Sequence, residues 1–219
     1  MTIQRRKLPI GIQTFCKIRE GDYYYVDKTP MAWTLAQESG YYFLSRPRRF
    51  GKSLFIDTLA ELFAGNEEPF KGLFIHPHWD WSVHHPIIRI SFSDGVLKSR
   101  AELDEKIQEC LQVNQQRLGV SCLHHSLSGQ FAEMIQRACE KFGQRVVILI
   151  DEYDKPILDN ITDRAVAIAM REGLKNFYSV IKGADAQLRF VFLTGVSKFS
   201  KVSLFSGLNN LTGMANCHP

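Results

Sequence analysis

The sequence predicts an α/β three-layer sandwich on a mainly parallel sheet, and three observations carry that prediction. The run "VVILI" at 146–150 is continuously apolar and β-branched, as a strand covered on both faces must be. Short apolar runs of this kind, at 41–45, 86–92, 146–150 and 188–195, alternate with stretches of helical periodicity. The helical stretches are long enough to serve as crossovers, so neighbouring strands can be parallel with right-handed connections.

Taken in order, residues 1–40 read as an N-terminal extension. Its "GDYYYVDKTP" contains an aromatic cluster with the composition of a short strand, followed by a helix over 30–38 with Pro30 in its first turn. "YYFLS" at 41–45 is the first core strand, and "SLFIDTLAELFAG" then places Phe55, Leu59 and Leu62 on one helical face with Ile56, Ala60 and Phe63 beside it. "PIIRISF" at 86–92 is the second strand, entered by a proline that only a strand start or edge accommodates. Ser99 and Glu102 form a capping-box pattern ahead of a helix carrying Leu103, Ile107, Cys110, Leu111 and Leu118. A second helix places Leu127, Phe131, Met134, Ile135 and Ala138 at helical spacing before Gly143. "VVILI" ends in "DEYD", after which Asp154, Lys155 and Pro156 read as a turn with a salt bridge of little worth. A helix over about 164–181 stops near Gly183, and "LRFVFLTG" at 188–195 supplies a fourth strand ending in Thr194. There is no internal repeat, low-complexity tract or linker, so one domain over 1–219 is expected, with its core at 41–211.

Composition narrows the function classes. The 219 residues can bury a sizeable core without disulfides or metals. No apolar run approaches a membrane span, and "MTIQRRKLPIGIQ" lacks the apolar core and cleavage site of a secretory signal, so a soluble cytoplasmic protein is expected, with no membrane partner. Cys16, Cys110, Cys122, Cys139 and Cys217 are odd in number and form no CxxC pair, which argues against a disulfide framework or zinc finger. The histidine-rich "HPHWDWSVHH" lacks metal-ligand spacing and reads as a polar surface connection. With 27 basic against 23 acidic residues the formal charge is +4, too mild to indicate nucleic acid on its own.

Chemistry concentrates at two places. "SRPRRFGKS" at 45–53 ends in the GKS of a phosphate-binding loop, whose needs are inward backbone amides, a helix N-terminus, a lysine for the terminal phosphates and a hydroxyl for Mg²⁺. Arg46 stands where GxxxxGK[ST] has its first glycine. Retaining the glycine's backbone conformation there would cost on the order of 1 kcal/mol. The alternative is that Pro47 sets a different loop path. Asp151 and Glu152, at the end of the buried strand, supply the acid pair that nucleotide chemistry needs beside Mg²⁺ and the attacking water. Singly, each motif also has an ordinary reading, an exposed basic turn and a strand exit.

The segments "SRPRRFGKSL", "VVILIDEYDKP", "FLTGVSKFS" and "KLPIGIQTFCKIREGDYYYVDKT" together resemble the bacterial AAA-ATPase-like domain family, itself similar to the signal-transducing ATPases with numerous domains. The likeness runs from Lys7 to about Leu211, and an arginine at position 46 belongs to the family's own loop pattern. The resemblance implies a P-loop ATPase sheet of the additional-strand class, with strand 188–195 between the loop strand and the acidic strand. It implies ATP and Mg²⁺ as cofactors, an Mg-dependent, slow hydrolysis acting as a switch, and these roles: Lys52 on the β- and γ-phosphates, Ser53 and Asp151 on Mg²⁺, Glu152 on the attacking water, Thr194 as sensor. The nucleotide-binding set runs through Arg46, Pro47, Arg48, Arg49, Phe50, Gly51, Lys52 and Ser53, with Asp27 of "YVDKT" toward the adenine; Tyr23 to Tyr25 fit either that contact or packing. Arg48 and Arg49 fit phosphate charge, a partner or plain solvation. Family members continue into a fifth strand, a helical lid and often a nuclease-like domain, whereas this sequence ends at "GLNNLTGMANCHP". Closure over nucleotide is therefore expected from the N-terminal segment, from another chain or not at all, and a non-catalytic module that uses its loop arginines to bind nucleic acid or protein is the competing class.

Overall fold

The computed structural model describes residues 6–37, 40–197 and 211–213. Its sheet has strand order β2-β3-β4-β1-β5, from β1 (Gly40–Ser45), β2 (Ile87–Ser91), β3 (Val146–Asp151), β4 (Leu188–Gly195) and a short β5 (Leu211–Gly213). Every pairing is parallel. The four longer strands fall where the hydrophobic runs place them, and β5 corrects the expectation that the chain stops short of a fifth strand. Register alone brings the site together, since Leu44 of β1 lies opposite Thr194 of β4 and Ser91 of β2 opposite Asp151 of β3.

The reason β3 reads as unbroken apolar sequence is visible in its two faces. Val146, Ile148 and Ile150 enter one core with α4 (Arg100–Leu118), α5 (Leu127–Phe142) and α7 (Arg164–Gly183). Val147 and Leu149 enter the other, with α3 (Lys52–Phe63), Phe15 of α1 (Phe15–Glu20) and Leu35 of α2 (Thr29–Gln37). All six β3 residues are buried. At about 25 cal/mol per Å² of apolar surface removed from water, a strand buried on both faces anchors the sheet to both helical layers.

Helix boundaries follow their caps. The Ser99 hydroxyl accepts from the Glu102 amide, while the Glu102 carboxylate reaches the amide of Lys98 rather than that of Ser99, a displaced form of the expected box. Ser126 caps α5 and Asp163 caps α7. Gly119 and Gly143 end their helices at φ 61° each, left-handed values that glycine adopts without strain.

Two expectations are corrected, and a third is met as far as the described residues reach. "GDYYYVDKTP" forms no strand; Tyr25 packs edge-on to Phe15 with centroids 5.2 Å apart. The helix after it runs Thr29–Gln37, and the expected end at Glu38 lies outside the described residues. "HPHWDWSVHH" is more than a surface connection, because Trp79 and Trp81 pack against the α3-side core. An undetected helix, α1, buries Phe15 and Ile18 completely, so the N-terminal segment contributes to the core. Six residues are too few to show a periodic signal.

Candidate functional site

The loop after β1 uses backbone where its side chains are exposed. Pro47 to Gly51 are all solvent-exposed, and Arg46 is half-buried. Among the described non-glycine residues of the loop, the left-handed conformation falls on Arg49, at φ 66°, and not on Arg46. The glycine-to-arginine replacement is therefore accommodated by a changed path, the alternative tied to Pro47, which favours extended backbone at the residue before it. The Arg46 amide donates to the Gly195 carbonyl at 3.3 Å, extending the β1–β4 ladder by one step. Gly51, at φ 72°, caps α3 with no side chain, and nothing lies within 4 Å of the position its Cβ would take. The first-turn amides of α3 thus start at an open, uncapped helix end, which favours an anion.

Lys52 is 5% exposed, and its ammonium donates to the carbonyls of Arg46 at 3.1 Å and Pro47 at 3.0 Å. Among the described residues no carboxylate lies within ion-pair distance of it. A nearly buried cation hydrogen-bonded by neutral carbonyls, with the carboxylates of Glu152 and Asp154 acting on it only at longer range, is costly to desolvate and is improved by an anion in direct contact. That property is the fit of this loop to phosphate.

Across β4 lies the acid end of β3. Asp151 is 7% exposed and accepts a short hydrogen bond from the Thr194 hydroxyl. The same hydroxyl accepts from the Glu152 amide at 3.4 Å, so Thr194 links both acids. Glu152 sits at φ 52°, a left-handed value that costs a non-glycine residue about 1–3 kcal/mol and persists only where the surroundings enforce it. Burial raises its carboxyl above the ordinary glutamate range, the charge of Asp151 adds to the rise, and Lys52, Lys155 and Arg48 oppose it. Ser53 and Asp151 line one cleft of about 220 Å³, shared with Gln13, Thr14, Asp57, Arg89, Ser91 and Ser93. A hydroxyl and a carboxylate facing one small cavity suit a hard divalent cation, which prefers oxygen ligands.

Asp27 has a different set of contacts. One carboxylate oxygen accepts from the Thr29 amide and hydroxyl at 2.8 and 2.7 Å, and the other from the Phe74 amide at 2.8 Å, so the residue holds the start of α2 against the distant turn at 71–75. Two polar residues escaped sequence reading. Asp57 is 7% exposed, accepts from the Phe15 amide at 2.7 Å and pairs with Arg89 at 2.9 Å. Asp154, expected in a simple turn, is 1% exposed and accepts from the Ser197 amide at 2.6 Å. The Lys155–Asp159 pair beside it, at 2.6 Å, spans the short α6 (Lys155–Leu158). An acid at the sixth position of an apolar helix is the sole sequence trace of Asp57, and nothing in "DEYD" ranks its second aspartate above a turn residue.

A loop ending in Gly-Lys-Ser between a strand and a helix, with an acidic strand end one strand away, is the arrangement of a P-loop-like α/β sandwich. Residues 9–205 match the AAA-ATPase-like family, described as "Predicted AAA-ATPase", and the chain belongs to that family. It is 61% identical over 210 residues to an uncharacterized protein in the vnfD 5′ region of Azotobacter chroococcum mcd 1, a match that covers 95% of this chain and 41% of that protein. The chain therefore spans less than half the length of that relative. No solved structure matches. Family membership supports nucleotide binding, and no helix of the described residues is long and apolar enough to cross a membrane.

Proposed function

We propose that the chain is an Mg-dependent ATP-binding domain that hydrolyses ATP slowly and serves as a nucleotide-controlled switch, on a sheet of the additional-strand class. The observation that carries this reading is the nearly buried Lys52 ammonium, hydrogen-bonded by two carbonyls at the mouth of an uncapped helix, with its neighbour Ser53 and Asp151 lining one cleft. In it, Lys52 exchanges the Arg46 and Pro47 carbonyls for β- and γ-phosphate oxygens, and the amides of Arg49 to Ser53 complete the cradle. Ser53 and Asp151 would hold Mg²⁺, which when bound neutralises developing phosphate charge. Glu152 removes a proton from the water that attacks the γ-phosphorus as the bond to the bridging oxygen breaks, leaving ADP and phosphate. Its raised carboxyl suits it to proton transfer. Thr194, bonded to the Asp151 carboxylate and the Glu152 amide, would report phosphate loss to β4, giving the switch a route.

Isothermal calorimetry with and without Mg²⁺ tests the reading. The wild type is expected to bind Mg-ATP, and Lys52→Ala to weaken binding at least 100-fold. No binding by the wild type, with nucleic acid or a protein bound instead through Arg46, Arg48 and Arg49, would favour the non-catalytic module.

A further inference from the structure

The contacts around Asp154 form a clamp on the chain leaving β4. The Asp154 carboxylate accepts from the amides of Val196, at 3.2 Å, and Ser197, at 2.6 Å. From the adjacent position the Tyr153 hydroxyl donates to the Ser197 carbonyl at 2.7 Å, and the Tyr153 amide donates to the Thr194 carbonyl at 3.0 Å. Both peptide groups flanking the Ser197 α-carbon are thus held by the two residues that follow the acid pair. Gly195 shows how close the fit is: a Cβ there would stand 2.3 Å from a ring carbon of Tyr153 and 2.6 Å from an Asp154 carboxylate oxygen, separations that real side chains do not adopt. The charge of Asp154 is met by backbone N–H groups, which hold a carboxylate more firmly than a neutral acceptor.

Thr194 is one residue away from this clamp, and its hydroxyl must reach Asp151 and the Glu152 amide together. We propose that Asp154 is a positioning residue for hydrolysis: by fixing the backbone at 195–197 it seats the Thr194 hydroxyl between the Asp151 carboxylate and the Glu152 amide. The inference rests on the hydrolytic reading above. It assigns Asp154 no contact with nucleotide, metal or water. Displacing reacting groups by a fraction of an ångström is enough to slow a positioned reaction, while substrate affinity is set elsewhere.

The test uses the full chain and three variants. Asp154→Ala and Gly195→Ala, which break the clamp from opposite sides, are expected to lower kcat 10- to 100-fold while Mg-ATP affinity stays within threefold. Asp154→Asn, whose amide oxygen can still accept from both N–H groups, is expected to recover kcat to within fivefold of wild type. Amide hydrogen exchange at Val196 and Ser197 is expected to accelerate at least tenfold in Asp154→Ala and much less in Asp154→Asn. Unchanged kcat and unchanged exchange in Asp154→Ala would overturn the inference while leaving the ATPase reading intact. So would equal losses of affinity and kcat without rescue by asparagine. If Asp154→Ala fails to fold, Asp154→Asn and Gly195→Ala decide by the same split. A wild type that binds Mg-ATP without turnover sinks the hydrolytic reading and the positioning role with it, whereas persistent amide protection sinks the clamp alone.

Discussion

The two halves of the site are built in opposite ways. At the loop after β1 the side chains from Pro47 to Gly51 face solvent, and what matters is the backbone path, one glycine and one lysine. At the end of β3 the side chains of Asp151, Tyr153 and Asp154 are buried, and hydrogen bonds between named atoms set the geometry. The loop should therefore tolerate side-chain changes that leave φ alone, and the acid end should tolerate almost none.

The sharpest way to break that contrast is Glu152→Gln. It should lower turnover at least 100-fold with Mg-ATP affinity retained, measured by single-turnover hydrolysis beside calorimetry. Next in size is Thr194→Val, which removes one buried hydroxyl that serves both acids. Turnover is expected to fall about tenfold, and denaturant unfolding to show a loss of about 1–3 kcal/mol, because Asp151 loses a buried partner. Acidity gives a third measure. Burial first, and Asp151 second, raise the Glu152 carboxyl, so its protonated form persists above the ordinary glutamate range. Turnover should therefore fall on acidification through a pH above that range, and the acid limb should disappear from the residual activity of Glu152→Gln. The same raised value means that folding favours the protonated acid, so this contribution to stability is present at low pH and lost as pH rises through the folded value. Glu152→Gln should accordingly be no less stable than wild type at neutral pH, by thermal unfolding.

The smallest effects sharpen the loop side. Arg46→Gly restores the sequence motif, yet Arg46 is not in the left-handed region, so the change only adds unfolded-state freedom and should destabilise by about 0.5–1 kcal/mol. Arg49→Gly, at the residue that does adopt positive φ, should be neutral to within about 0.5 kcal/mol, because relieved strain offsets the added freedom. Urea titration of the pair compares them directly, and the reverse order would mean that the loop keeps the glycine-type path at Arg46.

What was legible in the sequence follows the same division. The strands of the core announce themselves because β3 is apolar on both faces, and the loop announces itself because Gly51, Lys52 and Ser53 stand together between an apolar strand and a helical repeat. Asp151, Glu152 and Thr194 were readable as strand ends. Asp154 was not, since a buried carboxylate met by amides from a residue more than forty positions away has no local signature. At Arg46 the sequence left two loop paths open, because the motif records where glycine usually stands and not which residue takes the positive φ, which falls on Arg49. Asp57 and α1 were missed because each is defined by the other.

That last pairing bears on how the molecule can be cut. The Asp57 carboxylate sits one turn along α3 from Ser53 and takes the Phe15 amide, while Arg189 of β4 reaches the Ala36 carbonyl at 2.6 Å. Excising the first forty residues would uncover Phe70, whose ring Phe15 covers at 4.7 Å between centroids, and strip a donor from the Asp57 carboxylate of α3. Any recombinant fragment meant to report on nucleotide should begin ahead of Lys7.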